Sequence, residues 1–205
     1  MNTNQSQNQR FLKEESLFIS KINELYKARD YEQISGYRNT IFENIEIYKK
    51  TKVIFQIVSA LFMARYFSEC VTLVEELLKK DVEDMMYSFF LLASLIALDD
   101  IDMAKSYLKR SKLMNSNYVA SIILEDGANY SNILSAKSAD DIPCLLLVNY
   151  IKEFDKEGND TDKGFRKEDI RIYKYFELVD DIYECRYDSE IIDYMVNIGR
   201  IMFEN

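Results

Sequence analysis

The sequence predicts an all-α protein, an α-solenoid of antiparallel helical hairpins closed by a helical C-terminal cap. Three observations predict it. A turn signature recurs: Lys27-Ala28-Arg29-Asp30-Tyr31-Glu32, then Met63-Ala64-Arg65-Tyr66-Phe67, then Leu98-Asp99-Asp100-Ile101-Asp102, with Tyr31, Tyr66 and Ile101 spaced 35 residues apart. Each copy follows an apolar segment and precedes an amphipathic one, which is how stacked helix pairs read in sequence. Turn formers are scarce, five Gly and one Pro in 205 residues, while 48% of the chain is hydrophobic. Within the segments, apolar residues return every three or four positions, the helical period.

The first helix is expected over about Phe11–Ala28, where Ile19, Ile22, Leu25 and Tyr26 share a face. Its partner is expected over Glu32–Lys49 on the stripe Ile34, Tyr37, Ile41, Phe42 and Ile45. The second hairpin pairs the nearly all-apolar Lys52–Ala64 with the amphipathic Glu69–Lys80, whose Cys70, Val71, Leu73, Val74, Leu77 and Leu78 face inward. The third pairs Glu83–Leu98 with Ile101–Met114, on the inner stripe Ala104, Tyr107, Leu108 and Ser111. Beyond Met114 the register breaks into short helices over Val119–Asp126 and Tyr130–Ala136. Asp140-Asp141-Ile142-Pro143 reads as a helix start, with Asp as N-cap and Pro in the first turn, opening a helix over Cys144–Phe154. A surface loop at Glu157–Phe165 leads to helices over Lys167–Cys185 and Ser189–Phe203. Their joint, Arg186-Tyr187-Asp188-Ser189-Glu190, echoes Arg65-Tyr66-Phe67-Ser68-Glu69 and marks a drifted fourth hairpin. The expected layout is a disordered segment at 1–9 and one helical-repeat domain at 10–205. That domain holds repeats at about 10–49, 51–81 and 83–114, irregular helices at 117–156 and a C-terminal hairpin at 167–204.

Cys70 and Ala104 lie 34 residues apart near the start of the second helix of hairpins two and three. Val74 with Leu77, and Leu108 with Ser111, follow at matching intervals. In this pattern, over roughly residues 15–114, the chain resembles a degenerate tetratricopeptide repeat array; no Trp opens a unit, no Gly occupies a first helix and no Pro closes a second. The resemblance implies a right-handed superhelix whose first helices line a concave, protein-binding groove. The groove positions it implies are Ile54, Phe55, Val58, Leu61 and Phe62, then Phe89, Phe90, Ala93 and Ile96, with a more polar set in hairpin one, Ile19, Asn23 and Tyr26. A basic set able to clamp a peptide carboxylate is missing from hairpins two and three. Helices this apolar must be covered, either by the C-terminal half of the chain or by a partner.

Net charge is −9, from 26 basic and 35 acidic residues, which disfavours nucleic acid as a partner. With no histidine and no CxxC pair, the usual metal frameworks and the commonest general base are missing, so neither a metal nor a cofactor is expected. The acid pairs Asp99-Asp100, Asp140-Asp141 and Asp180-Asp181 fall at helix ends or on helix surfaces, where capping and solvation account for them. Asp160-Thr161-Asp162-Lys163-Gly164 lacks the sixth-position Gly and twelfth-position acid of a calcium loop. The apolar runs Val53–Ala64 and Met85–Leu98 are shorter than the ~20 residues that cross a bilayer. Three cysteines and a polar start without a signal-peptide pattern suit the cytoplasm. The expected function is therefore non-catalytic: an adaptor or scaffold that takes a peptide or helix in an apolar groove, with a homodimer as a further option. The alternative is a dedicated chaperone for an apolar client, similar to small acidic tetratricopeptide chaperones of secretion systems. An enzyme on a helical scaffold ranks last.

Overall fold

In the computed structural model, residues 3–49, 51–80, 85–110, 142–156, 167–184 and 189–204 are described. These residues are helical apart from short turns, so the protein is all-α. The helices are α1 Thr3–Lys27, α2 Tyr31–Ser35, α3 Arg38–Glu43, α4 Ile45–Tyr48, α5 Lys52–Met63, α6 Phe67–Lys79, α7 Met85–Ala97, α8 Ile101–Arg110, α9 Ile142–Lys156, α10 Lys167–Glu184 and α11 Ser189–Phe203. The short helices at 119–126 and 130–136, the loop at 157–165 and the joint at 185–188 lie outside the described residues. The chain divides into two compact units, 1–82 and 83–205.

The recurring signature is one turn built three times. Arg29, Arg65 and Asp99 sit in the left-handed region, at φ 57°, 63° and 60°. The amide of each returns to the carbonyl three residues back: Tyr26 at 3.1 Å, Phe62 at 3.0 Å and Ile96 at 3.0 Å. The next amide reaches five residues back, from Asp30 to Leu25 (3.0 Å), Tyr66 to Leu61 (2.8 Å) and Asp100 to Leu95 (2.9 Å). This is the Schellman closure, which satisfies carbonyls that a helix end would otherwise leave bare. Two of the turns also start the next helix, since Asp30 Oδ1 accepts from the Gln33 amide (3.1 Å) and Asp100 Oδ1 from the Met103 amide (3.0 Å). Tyr66 occupies the same place without a side-chain cap. Tyr66 therefore aligns with Asp30 and Asp100, one residue out of the register with Tyr31 and Ile101 that the letters suggest.

In the first unit, α5 packs against α1, α2, α4 and α6. α1 begins at Thr3, eight residues before the expected Phe11 and within the stretch expected to be disordered. Continuing an existing helix needs no second nucleation, and glutamine is a fair helix former, so a polar stretch can extend it. The expected single helix over Glu32–Lys49 is instead three pieces, α2 to α4. Gly36 weakens the helix at the first break, and Asn44, whose amide donates to the Thr40 carbonyl at 2.8 Å, marks the second. Of the expected stripe, Ile34, Ile41 and Ile45 are buried across the breaks, while Tyr37 and Phe42 are half-buried.

In the second unit, α7 packs against α8, α9 and α11, and α10 packs against α9 and α11. The α10–α11 pair brings together the two helices that the sequence expects to form the C-terminal hairpin. Tyr150, Tyr175 and Phe203 form a ring cluster, with Tyr175 5.9 Å from Tyr150 and 5.5 Å from Phe203. Gly199 makes it possible: a Cβ there would stand 2.6 Å from Tyr175 Cε1 and 2.9 Å from Phe176 Cζ. The Tyr175 hydroxyl donates to the Met195 carbonyl at 2.9 Å.

Candidate functional site

The polar interruptions in α5, Gln56 and Ser59, are both buried and both face α1. Gln56 Nε2 donates to Asn23 Oδ1 at 2.9 Å, and the Ser59 hydroxyl bonds the Tyr26 hydroxyl at 3.2 Å. These are two rungs across one seam, and unpaired amides buried there would cost about 1–3 kcal/mol each. Gln56 Oε1 has no hydrogen-bond partner among the described residues. Further out, the Tyr66 hydroxyl donates to Glu32 at 2.6 Å, which raises the tyrosine pKa, and Lys80 donates to Glu46 at 3.4 Å. Bonds from Lys49 and Lys80 hold the Glu46 carboxyl below its ordinary value. Burial, helped by Tyr26, lifts the Tyr31 pKa; the two rings meet edge to face at 6.0 Å.

Of the expected groove residues, Asn23 and Tyr26 are half-buried on this seam, and Phe55 of α5 and Ile19 of α1 are half-buried too. Ile54, Val58, Leu61 and Phe62 have no exposed surface. Phe89, Phe90, Ala93 and Ile96 are at most 2% exposed, in a helix enclosed by α8, α9 and α11 of its own unit. For α7, the cover that the sequence requires is thus supplied by the chain. The seam brings Asn23 and Tyr26 onto Gln56 and Ser59 of α5; the α7 set belongs to the core of the second unit.

Three residues escaped the sequence argument. Gln56 and Ser59 had a signal, as the two polar positions inside an apolar helix. Arg171 also had one: it stands in register with Tyr175, Leu178 and Ile182, the buried stripe of α10. Its Nη2 donates to the Ile96 carbonyl at 2.7 Å, and its Nη1 lies 2.5 Å from Asp99 Oδ1, so it pins α10 to the end of α7. Tyr150 donates to the Arg171 carbonyl at 3.3 Å, and burial pushes its pKa up to about 12.

Among the described residues, no group of three or more acidic, cysteine or histidine side chains is placed to hold a metal ion. No described helix is long and apolar enough to cross a membrane. Against family models, curated proteins and solved structures, the chain has no significant match.

Proposed function

We propose that this chain is a non-catalytic adaptor that binds a helix or extended peptide of another protein along the α1–α5 seam. One observation carries the proposal: Asn23 and Tyr26 of α1 and Phe55 of α5 keep solvent access on two helices joined by part-buried rungs. Amphipathic rings and amides on a rigid support are the chemistry of peptide recognition. The rungs join positions 33 residues apart, and the outer bonds Glu32–Tyr66 and Glu46–Lys80 join positions 34 apart. Contacts one repeat apart support tetratricopeptide-like stacking of the first two hairpins as a right-handed α-solenoid. A chain without histidine supports a binding role over a catalytic one, and an odd cysteine number supports a cytoplasmic setting. Because α7 is enclosed within its own unit, the seam is the face assigned.

A photo-reactive phenylalanine analogue at position 55, expressed in the native cell, tests this. It should cross-link to a partner protein, while the same analogue at exposed position 43 should not. Tyr26→Ala combined with Phe55→Ala should weaken recovery of that partner by about tenfold, the scale of losing an aromatic anchor. A folded chain that gives no cross-link from position 55 would sink the seam.

A further inference from the structure

The second unit carries a helix face that is aromatic, acidic and exposed. On α10, Tyr173 and Tyr183 are 67% and 62% exposed, more than any other large hydrophobic side chain among the described residues of that unit. Glu177, Asp180 and Glu184 are exposed with them. Steps of four, three and four residues from Tyr173 through Glu177 and Asp180 to Glu184 keep these side chains on one side of the helix. The opposite side of α10 is the buried stripe with Arg171, Tyr175, Leu178 and Ile182, so this face looks to solvent.

None of the three carboxylates has an ion-pair partner among the described residues. Two glutamates of the first unit, by contrast, have lysine partners: Glu46 pairs with Lys49 and Lys80, and Glu76 with Lys79. The α10 face therefore combines two exposed aromatic rings with three exposed carboxylates. Tyrosine faces attract cations, and carboxylates pair with them, most specifically with guanidinium. We propose that this face docks an arginine- or lysine-rich helix of another protein. The overall charge of −9 adds long-range attraction for such a partner and repels nucleic acid. The face is separate from the α1–α5 seam and stands or falls without it.

The full-length chain is titrated into a fluorescein-labelled 14-residue helical peptide of Ala, Leu and Arg, with Arg at every third or fourth position, at physiological salt. The wild type should bind with a measurable anisotropy change. Glu177→Gln, Asp180→Asn and Glu184→Gln together should weaken binding by about tenfold, given three exposed charge pairs of modest strength each. Tyr173→Ser with Tyr183→Ser leaves net charge unchanged and should weaken it about threefold. A charge-matched control, Glu24→Gln, Glu43→Gln and Asp102→Asn, should stay within about twofold, because it removes only diffuse attraction. Circular dichroism should show all three variants folded, since every substituted residue is surface-exposed or half-exposed. Absence of wild-type binding, or an equal loss in the control, overturns the proposal. So does a wild-type dimer that the α10 charge variant converts to monomer, which would make a second copy the occupant.

Discussion

Arg171 and Asp99 differ in how much water each keeps, and that difference decides which of them the fold can lose. The Arg171 side chain is 9% exposed and the Asp99 side chain 57%. Removing Arg171 frees a carboxylate that water can take back; removing Asp99 strands a buried cation. Asp99→Asn, which keeps a residue tolerant of the left-handed region, is expected to cost about 2–3 kcal/mol, and Arg171→Met about 1 kcal/mol less. Urea unfolding of the two variants checks the order, and the reverse order would refute this account. At Arg29, φ 57° suits glycine better than any side chain, so Arg29→Gly should stabilise by about 0.5–1 kcal/mol, read as a rise in melting temperature. Buried tyrosines add a pH dependence. Burial raises the Tyr150 pKa from 10.0 to about 12, and raises that of Tyr175 further. The folded state thus holds these protons more tightly than the unfolded chain. Their contribution is complete below pH 10 and is lost as pH climbs from 10 towards the folded values, at about 1.4 kcal/mol per pH unit for each tyrosine. Urea midpoints between pH 9 and 11 should fall accordingly, and Tyr150→Phe should flatten the fall.

At the scale of elements, α10 and α11 meet through a glycine in mid-helix. Alanine at 199 would gain about 1 kcal/mol of helix propensity, yet its Cβ would press on the Tyr175 ring, which the hydroxyl bond to Met195 holds in place. Gly199→Ala is therefore expected to destabilise by about 1–3 kcal/mol net, measured by chemical unfolding. Helix spans were readable wherever an apolar period met a strong stop. The span expected for the last helix, Ser189–Phe203, is the span of α11, and Lys52–Ala64 differs from α5 by one residue. The breaks at Gly36 and Asn44 were not readable, because the stripe Ile34, Ile41, Ile45 stays in register across them. Apolar spacing reports which side chains turn inward and is blind to a backbone that pauses between them.

At the scale of the whole molecule, two compact units follow one another with their boundary between repeats two and three. Arg29 belongs to the first unit and Gly199 to the second. The double variant Arg29→Gly, Gly199→Ala should therefore equal the sum of the single effects to within about 0.5 kcal/mol, and a larger departure would mean that the units respond together. The repeat period was legible because it is written in turn spacing. The candidate face was legible only in part. Asn23, Tyr26 and Phe55 came from aligning repeats, but whether α7 turned its rings to a partner or to its own chain depended on α9 and α11. The letters before α9 have no repeat to align, and those before α11 offer only a short echo of the second turn.

The three left-handed turns have a consequence for descent. Ala28-Arg29-Asp30, Ala64-Arg65-Tyr66 and Leu98-Asp99-Asp100 close the same loop with amides and carbonyls, groups that almost any residue supplies. Selection can preserve such a bend while the letters at it wander. Cousins of this chain would then share its helix lengths and the interval between bends long after spelling alone had stopped revealing kinship.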